Sequence, residues 1–294
     1  VSLGGKMKLV RFGAPGQEKP GLIDADGKLR DLSQHLPDLG NAHLSDERLA
    51  RLASIDVQSL KVVAGTVRYG PPIAAPGKIV CVGLNYTDHA KEAGLTLPTE
   101  PLLFLKGCSP TGPDDTVALP PHSTHGDWEV ELGVVIGKRA LHVDRARALE
   151  HVAGYCVFHD FTDREFQLNR GGQWTKGKSF PGFAPLGPWL VTRDEVPDPG
   201  KLRLWLDVNG TRRQDGSTQN LVFSVPFLVA YISQFMELNP GDLIATGTPA
   251  GVGAGHKPEP LFLTDGDLVS LGVEGLGTQA QRVVAWEKRG HAPA

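Results

Sequence analysis

The sequence holds little of what a disulfide-stapled, membrane-spanning or nucleic-acid-binding protein needs. Its three cysteines, Cys81, Cys108 and Cys156, have neither paired nor metal-ligand spacing, so reduced thiols in a cytoplasmic protein are expected. No apolar run approaches the roughly 20 residues that cross a bilayer. Val1 to Lys6 contain no uninterrupted apolar signal segment, and Met7 reads as the native start behind an expression remnant at 1–6. Charge of one sign does not accumulate either. The 30 Lys and Arg against 33 Asp and Glu leave a net charge of -3, without a basic arm or block, which argues against a nucleic-acid partner.

What is present suits a folded chain with a large core: 294 residues, 40% of them hydrophobic and 21% charged. Lys8 to Phe12 reads as a strand, 21–32 as a hairpin turning at Asp26-Gly27, and 45–52 as a helix capped by Ser45. These elements form a small mixed domain over 1–70. The Pro- and Gly-rich stretch 71–78 follows as a linker, a larger domain is expected over 79–289, and 290–294 is a tail. In the larger domain, strands are expected at 78–83, 101–107, 127–137, 155–158, 202–208, 211–214, 243–246, 268–273 and 281–285. Helices are expected at 145–152 behind Asp144 and from Ser224 through Phe235 or Leu238. Many strands with few helices predict an α+β, mainly β fold rather than repeated βαβ units.

The chemistry concentrates around Asp127-Trp128-Glu129-Val130-Glu131. Residues two apart on a strand share a face, so Glu129 and Glu131 are expected side by side, with Asp160 at the end of another apolar run nearby. Adjacent carboxylates resist burial unless a cation, a shared proton or paired basic groups compensate them, and three converging carboxylates suit Mg²⁺ or Mn²⁺. A short helix over 161–170 would place Asp160, Arg164 and Gln167 on one face. Lys178 closes the following Gly-rich segment, and Lys106 ends an apolar strand with its amine free to face solvent. On a helix over 85–92, Glu92 stands three positions after His89, the spacing of an oriented general base. His122, His125 and His159 lack a closed zinc pattern. The loop Gly247-Thr248-Pro249 brings backbone amides toward a ligand without forming a Walker or dinucleotide motif.

Taken together, Asn85-Tyr86 through His89 and Glu92, Asp127-x-Glu129-x-Glu131, Asp160 through Gln167, Lys178-Ser179-Phe180 and Gly247-Thr248-Pro249 resemble the fumarylacetoacetate hydrolase family over roughly Ile79 to Trp286. The resemblance implies a mixed β-roll, often in a homodimer, with a smaller N-terminal domain. It implies Glu129, Glu131 and Asp160 as ligands of Mg²⁺ or Mn²⁺, His89, Glu92 and Lys178 as catalytic groups, and Arg164, Gln167 and Thr248 as substrate-facing groups. Asp163 and Glu165 depart from the family's usual pattern around the arginine. Arg213-Gln214, Thr218-Gln219 and Phe223-Ser224-Val225-Pro226 resemble the branch that hydrolyses 2,4-diketo-3-deoxy sugar acids of the L-rhamnonate or L-fuconate series. The implied reaction is cleavage of the C3–C4 bond to pyruvate and a small hydroxy acid such as lactate. Simple acylpyruvate hydrolysis, oxaloacetate decarboxylation and non-catalytic sugar-acid binding are the alternatives.

Overall fold

Two packed sheets organise the computed structural model, which describes residues 6–92, 94 and 96–289. The proposed remnant at 1–6, except Lys6, and the tail 290–294 lie outside the described residues. The larger sheet has ten strands. Its order runs Leu29–Asp31, Lys19–Ile23, Lys8–Phe12, Leu186–Thr192, Val152–His159, Val130–Ile136, Leu243–Ala245, Ile79–Gly83 and Leu102–Lys106, with Tyr69–Gly70 paired to Lys8–Phe12. The smaller sheet has five, ordered Thr211–Ser217, Arg203–Val208, Leu268–Val273, Gly277–Val284 and Val117–Ala118. The fold is mainly β with short helices, as the strand-rich pattern predicted, and no described helix is long and apolar enough to cross a membrane.

Alternation explains how the sheets pack. On the strand Val130–Ile136, Val130, Leu132, Val134 and Ile136 join Leu204, Leu206, Val269 and Leu271 in one buried cluster. Val135, on the other face, joins Cys81, Phe104 and Phe158. Glu131 belongs to that second face, close to where the strand begins.

Local readings failed where long-range pairing took over. The expected strand 127–137 is broken: Gly126–Asp127 pairs with Thr162–Asp163, and Trp128 and Glu129 bridge to Val130–Ile136. That pairing also replaces the expected helix over 161–170 by a short strand followed by a π-helical turn, Glu165–Asn169. The 145–152 helix is a 3₁₀ segment whose Asp144 makes no side-chain cap. The helix beginning at Val225 ends at Ile232, short of Phe235. Asn209-Gly210 does turn a hairpin, both residues taking positive φ (52° and 75°).

Candidate active site

The carboxylates are brought together by sheet register. Phe158 lies opposite Glu131 and His159 opposite Val130, so Asp160 emerges beside the start of the neighbouring strand. Its N–H donates to the Glu129 carbonyl at 3.0 Å. Oxygens of Glu129, Glu131 and Asp160 lie within 4.8 Å of one another, and all three residues are buried.

Such a cluster demands compensation, and three basic side chains supply part of it. Lys178, ending the short helix Thr175–Lys178, donates from Nζ to Glu129 Oε2 and Asp160 Oδ2, each at 2.8 Å. Lys106 is buried, not solvent-facing: its ammonium pairs with Asp160 and donates to the Phe161 carbonyl at 3.0 Å. Arg164 donates from Nε to Asp127 Oδ2 at 2.7 Å and from Nη1 to Gln167 Oε1 at 3.0 Å and Glu129 Oε1 at 2.8 Å. Its buried Nη2 has no partner among the described residues. Asp127 is also bound by the N–H groups of Gly253 at 2.7 Å and Ala254 at 3.0 Å.

With Arg164 matched by Asp127, two ammonium groups face three carboxylates. Among the described residues Glu131 is left without an ion pair, and its Oε2 accepts only the Gly247 N–H, at 2.8 Å. Burial, and then the charges of Asp160 and Glu129, hold the Glu131 carboxyl well above the ordinary range. Burial pushes Glu129 the same way, but Lys178 and Arg164 outweigh it and its carboxyl sits below that range. Burial opposes the Lys178 ammonium, yet Asp160 and Glu129 stabilise it further than an ordinary lysine. A buried set of hard oxygens that includes one carboxyl no ammonium pairs fits a small divalent cation such as Mg²⁺ or Mn²⁺, which would take the place of that carboxyl's proton.

His89 and Glu92 share the helix Thr87–Glu92. A carboxylate can only accept, so His89 Nδ1 donates to Glu92 Oε2 at 3.2 Å, which in the neutral ring leaves Nε2 as the nitrogen with the lone pair. The Gly251 N–H donates to Glu92 Oε1 at 2.9 Å and fixes the acid in turn. The helix is anchored by Asn85, whose Nδ2 donates to the Thr246 carbonyl at 2.8 Å and whose Oδ1 accepts the Phe223 N–H at 2.8 Å.

An inner cavity of about 30 Å³ is lined by His89, Glu129, Glu131, Arg164, Gln167, Lys178 and Thr248, among others. It shares Leu84, His89, Arg164, Gln167 and Trp174 with an outer chamber of about 280 Å³, which Glu92 also lines. The expected site residues thus gather around one place, although Asp160, Arg164 and Gln167 do not share a helix face. A cleft of about 260 Å³ between 119–124 and 285–287 is larger than the inner cavity but lies away from these carboxylates. His159 takes no part in a metal group: it is buried, bonded through Nδ1 to Gln281 Oε1 at 2.9 Å, and pushed down to about 3 by burial.

Asp127, Lys106 and Gln214 were not assigned roles from the sequence. Asp127 had a signal, standing two residues before Glu129 in an alternating acidic run, and Lys106 had a weaker one as the polar end of an apolar strand. Gln214 had none. Its Oε1 accepts the Val130 N–H at 3.0 Å, and its Nε2 donates to Thr248 Oγ1 at 2.8 Å, tying the acid-bearing strand to the Gly247-Thr248 loop.

Residues 78–284 match the family model described as fumarylacetoacetate (FAA) hydrolase C-terminal. A protein of Burkholderia lata, whose name classes it as an inferred hydrolase, is 57% identical over 276 residues, covering 94% of this chain and 98% of the relative. A fumarylacetoacetate hydrolase from psychrophilic Exiguobacterium antarcticum superposes with a TM-score of 0.83 at 35% identity, covering 95% of this chain and 99% of that one. Maleylpyruvate hydrolase from Sphingobium sp. SYK-6, solved with manganese(II) and pyruvate, gives a TM-score of 0.79 at 30% identity, covering 95% and 99%.

Proposed function

The chain belongs to the fumarylacetoacetate hydrolase family, and from that premise we propose that it hydrolyses the C3–C4 bond of a 2,4-diketo acid of acylpyruvate type, releasing pyruvate and a carboxylic acid. The observation that carries this reading is the buried triad Glu129, Glu131 and Asp160 beside an oriented His89–Glu92 pair in one cavity. The triad would hold Mg²⁺ or Mn²⁺, and the manganese and pyruvate of the Sphingobium enzyme support that assignment. When bound, the cation supplies positive charge toward the oxygens of an α-keto acid.

The chain's own groups would do the rest. His89 takes a proton from water at Nε2 while Glu92 stabilises the resulting imidazolium. Oxygen of that water bonds to C4, the C3–C4 bond breaks, and its electron pair passes to the pyruvate fragment, which takes a proton at C3. Lys178 offers an ammonium to the developing oxyanion. Arg164, whose Nη2 lacks an acceptor, and Gln167 orient the substrate.

We place simple acylpyruvates ahead of the 2,4-diketo-3-deoxy sugar acids. Groups that would read sugar hydroxyls near Thr248 and Asn85 are already engaged: Thr248 Oγ1 donates to the Val130 carbonyl at 2.8 Å and accepts from Gln214, and the Asn85 amide bonds Thr246 and Phe223. The test is kcat/KM with added Mg²⁺ or Mn²⁺ for acylpyruvates, fumarylpyruvate, the diketo-deoxy derivatives of L-rhamnonate and L-fuconate, and oxaloacetate, run in H₂¹⁸O. Label in the carboxylate of the departing acid is expected. Turnover without that label, or CO₂ in place of two organic acids, would overturn the hydrolase reading.

A further inference from the structure

Beyond the reaction itself, we infer that Asp163 is a positioning residue: its carboxyl fixes the turn that carries Gln167 and the backbone of Arg164, and so sets the aim of the two groups that orient the substrate. The inference rests on the reading of Arg164 and Gln167 as those groups. Asp163 is one of the two residues that depart from the family's usual pattern around the arginine, and the reaction as written uses neither. Its placement is costly. The residue is 1% exposed, and among the described residues no ammonium or guanidinium pairs with it. A buried carboxyl without a cation persists only where hydrogen bonds satisfy it.

Both oxygens are committed, each to a different segment. Oδ1 accepts the Phe166 N–H at 3.0 Å. That N–H stands at the start of the π-helical turn Glu165–Asn169, where Arg164 provides no side-chain cap. Oδ2 accepts the Ser123 hydroxyl. Ser123 belongs to a turn whose His122 takes a φ of 62°, a conformation that a non-glycine residue keeps only where its surroundings impose it. In the same turn the His125 carbonyl accepts the Arg164 N–H at 3.0 Å. Asp163 therefore clamps Arg164 from both sides, through 122–125 and through Phe166. From this clamp Arg164 Nη1 reaches Gln167 Oε1 at 3.0 Å and Nη2 is left for a ligand. Hydrogen bonds weaken steeply with misalignment, so a small shift of the turn costs substrate affinity.

The test compares wild type, Asp163→Ala, Asp163→Asn and Ser123→Ala, each as the full chain with Mn²⁺. Asp163→Ala should raise KM for acetylpyruvate and the calorimetric Kd of pyruvate by about tenfold, the scale of one lost hydrogen bond to a charged group. Its kcat should fall less than about threefold, the mark of lost uniform binding. The Mn²⁺ Kd should stay within about twofold, because neither oxygen of Asp163 touches Glu129, Glu131 or Asp160. Asp163→Asn keeps an acceptor for Phe166 and gains an amide donor for Ser123, so KM and pyruvate Kd should return to within about threefold of wild type. Ser123→Ala, which leaves the Phe166 contact intact, should raise both by about threefold. Solvent exchange of the Arg164 Nε–H, followed by NMR, reads the clamp without turnover: Asp163→Ala should speed it and leave the amides of Val130–Ile136 unchanged.

Unchanged KM, pyruvate Kd and Arg164 exchange in Asp163→Ala would overturn the assignment. So would Asp163→Asn performing no better than Asp163→Ala, or Mn²⁺ Kd, kcat and KM worsening together in step with the melting temperature, which would leave Asp163 a brace. Should Asp163→Ala not fold, the same readouts on Ser123→Ala decide. Faster Arg164 exchange in Asp163→Ala, in a protein that cleaves no acylpyruvate, would sink the hydrolase reading and leave the positioning role standing.

Discussion

Glu131 differs from its two acidic neighbours in what surrounds it. Glu129 and Asp160 each bond a lysine ammonium, whereas Glu131 has one backbone N–H and two repelling carboxylates. Replacing it with Gln keeps an oxygen for the Gly247 N–H and removes the charge that a cation would meet. Metal-free Glu131→Gln should therefore melt no lower than the wild type, because the amide keeps the Gly247 contact and faces Glu129 and Asp160 without a like charge. The Mn²⁺ affinity should fall by at least about tenfold, since a ligand charge is lost, and metal-dependent stabilisation should shrink with it. Calorimetric titration and melting with and without Mn²⁺ check both; an unchanged Kd would remove Glu131 from the ligand set. The sequence showed the acids and their spacing. It could not show that Lys106 turns inward, because an apolar strand ending in lysine reads the same whether the amine meets water or Asp160.

Between residues and whole fold, the short elements near the site are held by close backbone approach. Gly177, within the helix Thr175–Lys178, would place a Cβ 2.3 Å from the Asp163 carbonyl oxygen and 2.5 Å from the Gln167 N–H nitrogen. Both obstacles are backbone, so neither can yield by rotating a side chain. Gly177→Ala should cost about 1–3 kcal/mol through overpacking and lower kcat by displacing Lys178 from Glu129 and Asp160. Gly40→Ala is the control: nothing lies within 4 Å of its Cβ position and its φ is -93°, so stability should stay within about 0.5 kcal/mol. Denaturant midpoints and steady-state rates measure the pair, and equal effects would reject the argument. Strands such as Val130–Ile136 were legible because one periodicity decides them. The π-helical turn Glu165–Asn169 was not, since its geometry depends on Thr162–Asp163 pairing with Gly126–Asp127 some 36 positions earlier (Asp163 opposite Gly126 is the wider pair, at 37).

Across the whole molecule, the proline-rich stretch 71–78 looks like a boundary in the sequence, yet strands on its two sides share one sheet. Lys8–Phe12 pairs with Leu186–Thr192 on one edge and Lys19–Ile23 on the other. Leu9, Leu22, Leu32, Leu39, Leu44 and Leu49 pack in the same buried cluster as Cys81, Phe158, Leu186, Leu190 and Leu243. Ion pairs cross as well, Arg193 to Asp46 at 2.9 Å and Arg68 to Asp115 at 2.6 Å. A core shared in this way gives neither part a complete apolar interior of its own, so unfolding the N-terminal strands would expose the inner strands' edge and apolar face together. We expect a single cooperative transition. All five tryptophans lie beyond residue 78, so their fluorescence reports the larger part, while amide exchange over 8–32 reports the smaller one. Exchange in Lys8–Phe12 should require the same opening free energy as in Leu186–Thr192, and both should follow the fluorescence midpoint in denaturant. Exchange of 8–32 at a distinctly lower free energy, with the fluorescence transition unmoved, would show instead two units that unfold independently across the linker.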